Sequence, residues 1–402
     1  MSPATESTAT ESTATGPAAG QAAAGLPDLL YGEAETELRA AVRALLTDRC
    51  GWPEVLARTE TPQAYDTGLW QVLAAEVGCA GLLIPEGNGG AGASYREAAV
   101  VAEETGRAVA PVPFLGSAVV ATAALLAAGG DELLTALAAG AATVALAVPF
   151  AAAPGARPEP TVRLGAPAPG DGDPGYRLTG SVAGVADALP ADVLIVPADG
   201  VPYGLYAVRA AEARMTPVVS LDMTRQLADL TFDNVPGRRV VTGAAAEGAV
   251  AAALTAGAAM LAAEQLGAAE RCLEITVAYL KERRQFARPV GSFQALKHRA
   301  ADLWVGVTQA RAAARYAAAC LAAGDPDTPV AVALAKAACS DIAVRAAQEC
   351  VQLHGGIGFT WEHPAHLYLK RAKSSSIGFG TPDRHRASLA GLADLGPPGA
   401  AQ

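Results

Sequence analysis

The sequence predicts an α+β protein with a helical N-terminal domain, a middle β-barrel or β-sandwich domain and a C-terminal four-helix bundle. Two patterns indicate this order. Apolar residues recur at helical spacing towards both ends of the chain, and short β-type runs separated by proline and glycine lie between them. A length of 402 residues is also too great for one small core. We therefore place the domains at 26–140, 141–242 and 243–395.

The N-terminal domain is preceded by residues 1–25, a low-complexity tail that is expected to be disordered because it has few apolar side chains to bury. Helical patterning starts near Tyr31, and a second helix ends at Gly78 before a glycine-rich loop. Further helices are predicted at Tyr95–Thr105, Ser117–Ala128 and Asp131–Ala138.

The middle domain is predicted from short runs of β-type residues at regular spacing, which favour a small antiparallel barrel or sandwich. These runs are Thr143–Val148, Thr161–Leu164, Tyr176–Thr179, Val193–Val196, Leu205–Val208 and Gln226–Phe232. The turn-forming residues 233–237 are expected to end the last strand.

The C-terminal domain is predicted from three long helical patterns, Ala244–Gln285, Gln294–Ala323 and Pro329–Leu353. The first is too long for an isolated globular helix, and such length is typical of a bundle or an oligomer seam. Helices, then strands, then a helical bundle is an uncommon order of elements.

Composition excludes some classes of function. The formal net charge is −10, which is unfavourable for nucleic-acid binding because phosphate contacts need clustered lysine and arginine. The six cysteines form no C-x-x-C pair and no zinc-like spacing with histidine, so no metal site is predicted and a reducing cytoplasm is expected. Neither a membrane span nor a secretion signal is recognisable.

Two C-terminal motifs have chemical properties that the residues themselves define. Arg283 and Phe286 form R-x-x-F, and a guanidinium matches phosphate oxygens with planar donors; an exposed, charged helix end is the alternative. Gly355 and Gly356 lie in Q-x-H-G-G-I-G, where glycine permits close backbone approach. A helix C-cap is the alternative for Gly355, and His354 is interpreted as a loop hydrogen-bonding residue.

These motifs, with Gly378-Phe379-Gly380-Thr381 and the order of domains, resemble the acyl-CoA dehydrogenase family. The resemblance runs from Tyr31 to Leu392 and includes a PE-x-x-GG-x-G turn at 85–92. It implies an acyl-CoA dehydrogenase-like fold, FAD as cofactor and an acyl-CoA or acyl-carrier-protein thioester as substrate. The family reaction removes the α-proton of the thioester and passes the β-hydrogen to the flavin as hydride.

The resemblance also implies roles for residues. The family arginine matched by Arg283 lies across a subunit interface on the pyrophosphate of the neighbour's FAD, and the glycine loop packs near the adenosine half. The implied cofactor-binding residues are Arg283, Phe286, Gln294, Gln352, Gly355, Gly356 and Thr381.

Other family features are missing. Phe379 stands where the family has the glutamate that removes the proton, and Gly257, at the alternative position of that glutamate, is not acidic either. The flavin-ring motif T-E-P-x-x-G-S-D corresponds to 148–155, which has lost the hydroxyl and the acids. Asp383 is a weak candidate for a substitute base, with an ordinary role at a helix N-terminus as the alternative.

What is retained is the set of residues that the family offers to a neighbour's FAD, and what is lost is the set used on a chain's own flavin and substrate. The hypothesis is a base-less subunit of a heteromeric complex that completes a partner's FAD site. A self-sufficient homo-oligomeric flavoenzyme with a non-standard base is one alternative. A non-enzymatic structural or thioester-binding relative is the other.

Overall fold

A computed structural model describes residues 28–155, 159–165 and 176–393. The predicted tail at 1–25 lies outside the described residues. Helices, then strands, then long helices follow one another as predicted. The two helical regions share one large apolar core, and a smaller core lies within the sheet.

From residue 28 onwards, where the structure describes it, the N-terminal region contains six α-helices: α1 Glu33–Arg49, α2 Trp52–Thr59, α3 Thr67–Gln71, α4 Tyr95–Ala108, α5 Thr122–Ala127 and α6 Leu133–Ala138. Wider π-helical turns at Val72–Glu76 and Phe114–Ala121 extend α3 and precede α5. Ser94 and Glu97 form a capping box that starts α4, since each side chain bonds a free backbone N–H of the first turn. Helix α2 was not predicted.

The described residues of the middle region form a seven-stranded mixed sheet in the order β1-β4-β5-β7-β3-β2, with β6 also paired to β7. Its strands are β1 Val144–Leu146, β2 Val162–Gly165, β3 Tyr176–Ala186, β4 Val193–Ala198, β5 Gly204–Arg209, β6 Arg214–Val218 and β7 Leu227–Thr242. A parallel bridge between Arg163 and Asp199 brings β2 back to the end of β4, so the sheet curls towards a barrel.

The sheet departs from the sequence-based expectation in two places. Strand β1 runs parallel to β4, not antiparallel. Strand β7 does not end at 233–237: it passes through these residues to Thr242, with Asn234 at φ 53° marking an irregularity. The expectation failed because β3 pairs with β7 on both sides of Asn234 and β5 pairs with the rest, so ladder hydrogen bonds outweigh the local turn signal.

Up to residue 393, the last one described, the C-terminal region packs five α-helices, α7 Ala244–Glu282, α8 Gln294–Ala323, α9 Thr328–His354, α10 Ala365–Ile377 and α11 Pro382–Leu392. A short hairpin, β8 Arg284–Gln285 and β9 Arg288–Pro289, separates α7 from α8. Helix α7 lies at the centre, against α4, α8 and α9. It is long and apolar enough to cross a membrane, but 61% of its most apolar stretch is buried inside the fold, as in a core helix.

Candidate functional site

The hairpin after α7 presents the R-x-x-F motif. Arg283 ends α7, and Phe286 and Ala287 are the two central residues of the tight turn between β8 and β9. Their φ angles of 51° and 61° are left-handed, as a two-residue hairpin of the right twist requires. The Phe286 side chain is 86% exposed, although its ring edge meets Phe293 with centroids 6.2 Å apart.

A small apolar core joins this hairpin to the glycine loop. Leu280 of α7, Val290 directly after the hairpin and Leu353 of α9 are buried together, with Phe293 and Leu296 packed against them. The predicted phosphate-binding and adenosine-side residues therefore lie on one continuous surface of the bundle. We call this surface the clasp; its residues, all exposed, are Arg283, Phe286, Gln294, Gln352, Gly355 and Gly356.

Stacked rings also support the clasp. The Tyr279 ring lies 4.5 Å from His354, which lies 4.1 Å from His363. His354 Nδ1 donates to the Cys350 carbonyl at 2.7 Å, so this histidine does hydrogen-bond within the end of α9. Burial and the neighbouring His354 lower the pKa of His363 to about 4, so its ring stacks in the neutral form at physiological pH.

The glycine loop begins at the C-cap of α9. Gly355 has φ 63°, the left-handed conformation of a helix C-cap. A Cβ placed on it would meet nothing within 4 Å, so the space in front of the loop is also open. Two aromatic side chains beyond it are turned to solvent, Phe359 at 78% and Trp361 at 64% exposure. A surface with this much exposed aromatic area is typical of a binding or subunit interface.

Phe379 lies elsewhere, inside the fold. It is 4% exposed, and its backbone N–H donates to the carbonyl oxygen of Phe150 at 2.7 Å. The two rings meet edge to face with centroids 5.5 Å apart. The ring of Phe379 also fills the space in front of Gly257, where an added Cβ would come within 2.7 Å of it. Position 379 therefore belongs to the packed interior of this chain.

A buried lysine holds the loop that carries Phe379. Lys336 Nζ donates to the Ser340 hydroxyl at 2.9 Å and to the carbonyls of Ser375 and Gly380 at 3.1 and 3.3 Å. Burial lowers the pKa of Lys336 to about 7. On the other side, His385 Nε2 donates to the Phe379 carbonyl at 2.8 Å. Lys336 is not predictable from the sequence, since one lysine in an alanine-rich helix carries no local sign of its partners.

A buried network of charges lies beside this loop. Glu264 accepts hydrogen bonds from Arg225 and Arg371, and Arg371 also lies 3.0 Å from Asp222. Burial alone would raise the pKa of Glu264, but the two guanidinium groups together lower it. Glu264 therefore joins α7, on which it lies, to α10 and to the turn that precedes β7.

Asp383 and Thr381 lie at the start of α11. The Thr381 hydroxyl accepts the Arg384 N–H at 3.4 Å as an N-cap. The Asp383 side chain is 93% exposed and pairs with Arg386 at 2.9 Å. An exposed, paired carboxylate in the first turn of a helix matches the ordinary role of an acid at a helix N-terminus. It does not match a catalytic base, which would face a buried substrate.

Comparison with known proteins identifies one family. Residues 32–143 match the model of the acyl-CoA dehydrogenase N-terminal domain, and residues 248–391 match the model of the C-terminal domain. The acyl-CoA dehydrogenase IpdE2 of Mycobacterium tuberculosis is 39% identical over 345 residues, which cover 86% of this chain and 92% of that protein.

Two solved structures share the fold over nearly their whole length. A variant of the Tcur3481–Tcur3483 steroid ACAD is 32% identical, with a TM-score of 0.77 and coverage of 90% of this chain and 98% of its own. The ChsE4–ChsE5 complex of Mycobacterium tuberculosis is 27% identical, with a TM-score of 0.79 and coverage of 92% and 100%.

Proposed function

Because this chain belongs to the acyl-CoA dehydrogenase family, whose members bind FAD, we propose that it is the base-less subunit of a heteromeric acyl-CoA dehydrogenase. In this proposal a related partner supplies the proton acceptor. This chain completes the partner's FAD site, and the complex oxidises the α,β bond of an acyl thioester in the cytoplasm.

One observation carries the proposal: the clasp faces solvent while position 379 faces the interior. Arg283, Phe286 and the glycines of the loop are exposed, so a cofactor held by another chain can reach all of them at once. Phe379 is buried against Phe150 and has no group that accepts a proton. General-base catalysis contributes about 10²–10⁴-fold, which a partner with a carboxylate would provide.

The residues of the clasp fit a dinucleotide. Arg283 offers a permanent charge and planar donors for a pyrophosphate. Gly355 and Gly356 leave room for an adenosine group to approach the backbone, since a Cβ built on either residue would meet nothing within 4 Å. Phe286 supplies exposed apolar area beside them. When bound, FAD accepts the hydride from the β-carbon; the role of this chain is to hold and orient it.

The relatives support a heteromer. One structure that matches over 92% of this chain is named as the ChsE4–ChsE5 complex, an assembly of two differently named subunits. Another is named as a steroid ACAD. Thioesters with a steroid-derived acyl group, linked to CoA, are therefore the first substrate class to test, with carrier-protein thioesters second.

The experiment is co-expression with related acyl-CoA dehydrogenase subunits from the same genome, followed by native mass measurement and a count of FAD per chain. The proposal predicts a mixed complex with one FAD for each pair of chains. Arg283→Met should weaken FAD retention roughly 10- to 100-fold, because a hydrogen bond to a charged group contributes about 1.5–3 kcal/mol. Arg209→Met, on an exposed arginine of β5, is the matched control and should leave retention unchanged.

The alternatives give different results. A homo-oligomer of this chain that is saturated with flavin and fully active by itself would refute the proposal and favour a self-sufficient enzyme. A complex that stays colourless with every related subunit would favour the non-enzymatic alternative.

A further inference from the structure

A cavity of about 390 Å³ lies where the N-terminal helices α1, α2 and α4 meet α7 and α10. We propose that this space, which we call the seam cavity, binds a small organic acid, a carboxylate with an apolar body. None of the described residues that line it belongs to the clasp or to the loop of Phe379. The site is therefore additional to the proposed function and does not depend on it.

Arginines from three helices surround the seam cavity. Among the described residues, Arg43 of α1, Arg107 of α4 and Arg271 of α7 line it together with one carboxylate, Glu104. Glu104 is 2% exposed and already accepts two hydrogen bonds from Arg43, at 2.6 and 2.8 Å. Guanidinium groups stay protonated at physiological pH. Three arginines thus face one occupied carboxylate, in a chain whose formal net charge is −10.

Glu274, beside the cavity, balances part of this charge. It accepts a hydrogen bond of 2.6 Å from Arg107 and lies 3.4 Å from Arg271, which is beyond the usual length of an N–H···O bond. The side chains of Arg271 and Glu274 are 42% and 47% exposed, and an ion pair open to water contributes little to stability. A ligand carboxylate can therefore take Arg271 from Glu274 at little cost, and it would match the positive charge still in surplus.

The seam cavity also offers apolar surface. Leu46, Cys50 and Tyr368 line it and are buried, and Trp52 lines it and is half-buried. Burial raises the pKa of the Cys50 thiol to about 12, so this group is uncharged. The Tyr368 hydroxyl donates to the Arg107 carbonyl at 2.7 Å, so its proton is already used. The cavity therefore combines apolar surface for a hydrocarbon with cationic groups for a carboxylate, the usual composition of a small-molecule site.

The volume restricts the size of the ligand. Ligand sites measure about 300–1,000 Å³, and this one is near the lower end. It has room for roughly a dozen groups of the size of water, at about 30 Å³ each, and is too small for a whole acyl-CoA or FAD molecule. A phenyl ring on a short chain that ends in a carboxylate, as in 3-phenylpropanoate, has a suitable size and an aromatic face for Trp52 and Tyr368.

The test is titration calorimetry of the full chain, alone or in its complex, with 3-phenylpropanoate at neutral pH. Two ligands serve as controls: 3-phenylpropanamide has the same shape without the charge, and inorganic phosphate has the charge without the apolar body. We expect the acid to bind at least tenfold more tightly than either control, because only the acid uses both the arginines and the apolar surface.

Two variants place the bound acid in the seam cavity. Arg271→Met should weaken binding of the acid at least tenfold. Thr47→Phe, at an exposed position of α1 that lines the cavity, should also weaken it by filling space without removing a charge. Both side chains reach solvent, so neither change disturbs the core. Arg345→Met, on an exposed arginine of α9, is the matched control and should bind the acid as wild type does.

Equal affinity for the acid and its amide would overturn the proposal, and so would equal binding of the acid by wild type and Arg271→Met. Phosphate bound as tightly as the acid would indicate a plain anion site and overturn the assignment to an organic acid. None of these measurements depends on flavin content or on a partner subunit. A failed heteromer would therefore leave the result standing, and the two failures are distinguishable.

Discussion

Individual buried charges in this protein are satisfied by partners from distant parts of the chain. Glu264 sits on α7 between Arg225, in the turn before β7, and Arg371 of α10. Desolvating a charge costs several kcal/mol, which only close opposite charges and hydrogen bonds offset. These residues therefore stabilise the fold only as a set.

The first prediction concerns that set. Glu264→Gln leaves two buried guanidinium groups without their shared carboxylate and should lower the free energy of unfolding by about 3–5 kcal/mol. The measurement is urea unfolding at neutral pH. Glu270→Gln is the matched control on the same helix: its partner Arg311 is partly exposed, so the loss should stay below about 1 kcal/mol. Equal losses would contradict the shared role of Glu264.

The second prediction concerns Lys336. Its pKa is about 7 in the folded chain and has its ordinary value of 10.5 when unfolded. Between these values the unfolded chain binds more protons, so stability rises with pH, by at most about 1.4 kcal/mol per unit. Below pH 7 the cost of the buried charge is fully present. Unfolding measured from pH 6 to 9 should show this slope in wild type and lose it in Lys336→Met. The same slope in both proteins would contradict the assignment of this pH dependence to Lys336.

At the scale of elements, the hairpin β8–β9 brings the R-x-x-F motif to the surface, and its turn has a strained backbone. Phe286 and Ala287 both occupy left-handed backbone, which costs a residue with a Cβ roughly 1–2 kcal/mol. The apolar core of Leu280, Val290 and Leu353 beneath the hairpin offsets that cost. The clasp is thus shaped before any ligand arrives.

The third prediction follows from this strain. Ala287→Gly should raise the free energy of unfolding by about 1 kcal/mol, because glycine adopts positive φ without a steric penalty. Ala312→Gly, at an exposed position of α8, should lower it by about 1 kcal/mol through loss of helix propensity. Chemical denaturation of the two variants checks the opposite signs, and a loss for Ala287→Gly would show that its φ is not strained.

At the scale of the whole molecule, contacts across regions hold the helices and the sheet together. Tyr65 donates to Asp187, directly after β3, at 2.5 Å, and the Gly116 N–H donates to the same carboxylate at 2.8 Å. Helices α4 and α7 cross at Gly106 and Gly267 with backbone almost in contact. The N-terminal and C-terminal helices thereby share one core.

The fourth prediction tests that crossing. A Cβ at Gly267 would lie 1.8 Å from the Glu103 carbonyl oxygen. Gly267→Ala should therefore force α4 and α7 apart and lower the free energy of unfolding by about 1–3 kcal/mol or more. Gly248→Ala on the same helix meets nothing within 4 Å and should raise it by about 0.5–1 kcal/mol. Thermal unfolding of both variants checks these opposite signs. A loss of stability in both would indicate a general effect of alanine and not the close crossing of α4 and α7.

The sequence by itself determined the order of elements and the identity of the clasp, because helical spacing, strand runs and the R-x-x-F and glycine motifs are local patterns. It did not determine which residues meet at long range. Phe150 contacts Phe379, Arg225 contacts Glu264 and Lys336 bonds the loop ending at Gly380.

Only the tertiary structure decided these contacts, and with them that position 379 faces the interior while the clasp faces solvent. The physical reason is that packing and burial depend on which distant surfaces are pressed together. The residues that pack against Phe150, and the strand that completes the hydrogen bonds of the last part of β7, both lie far away in the sequence.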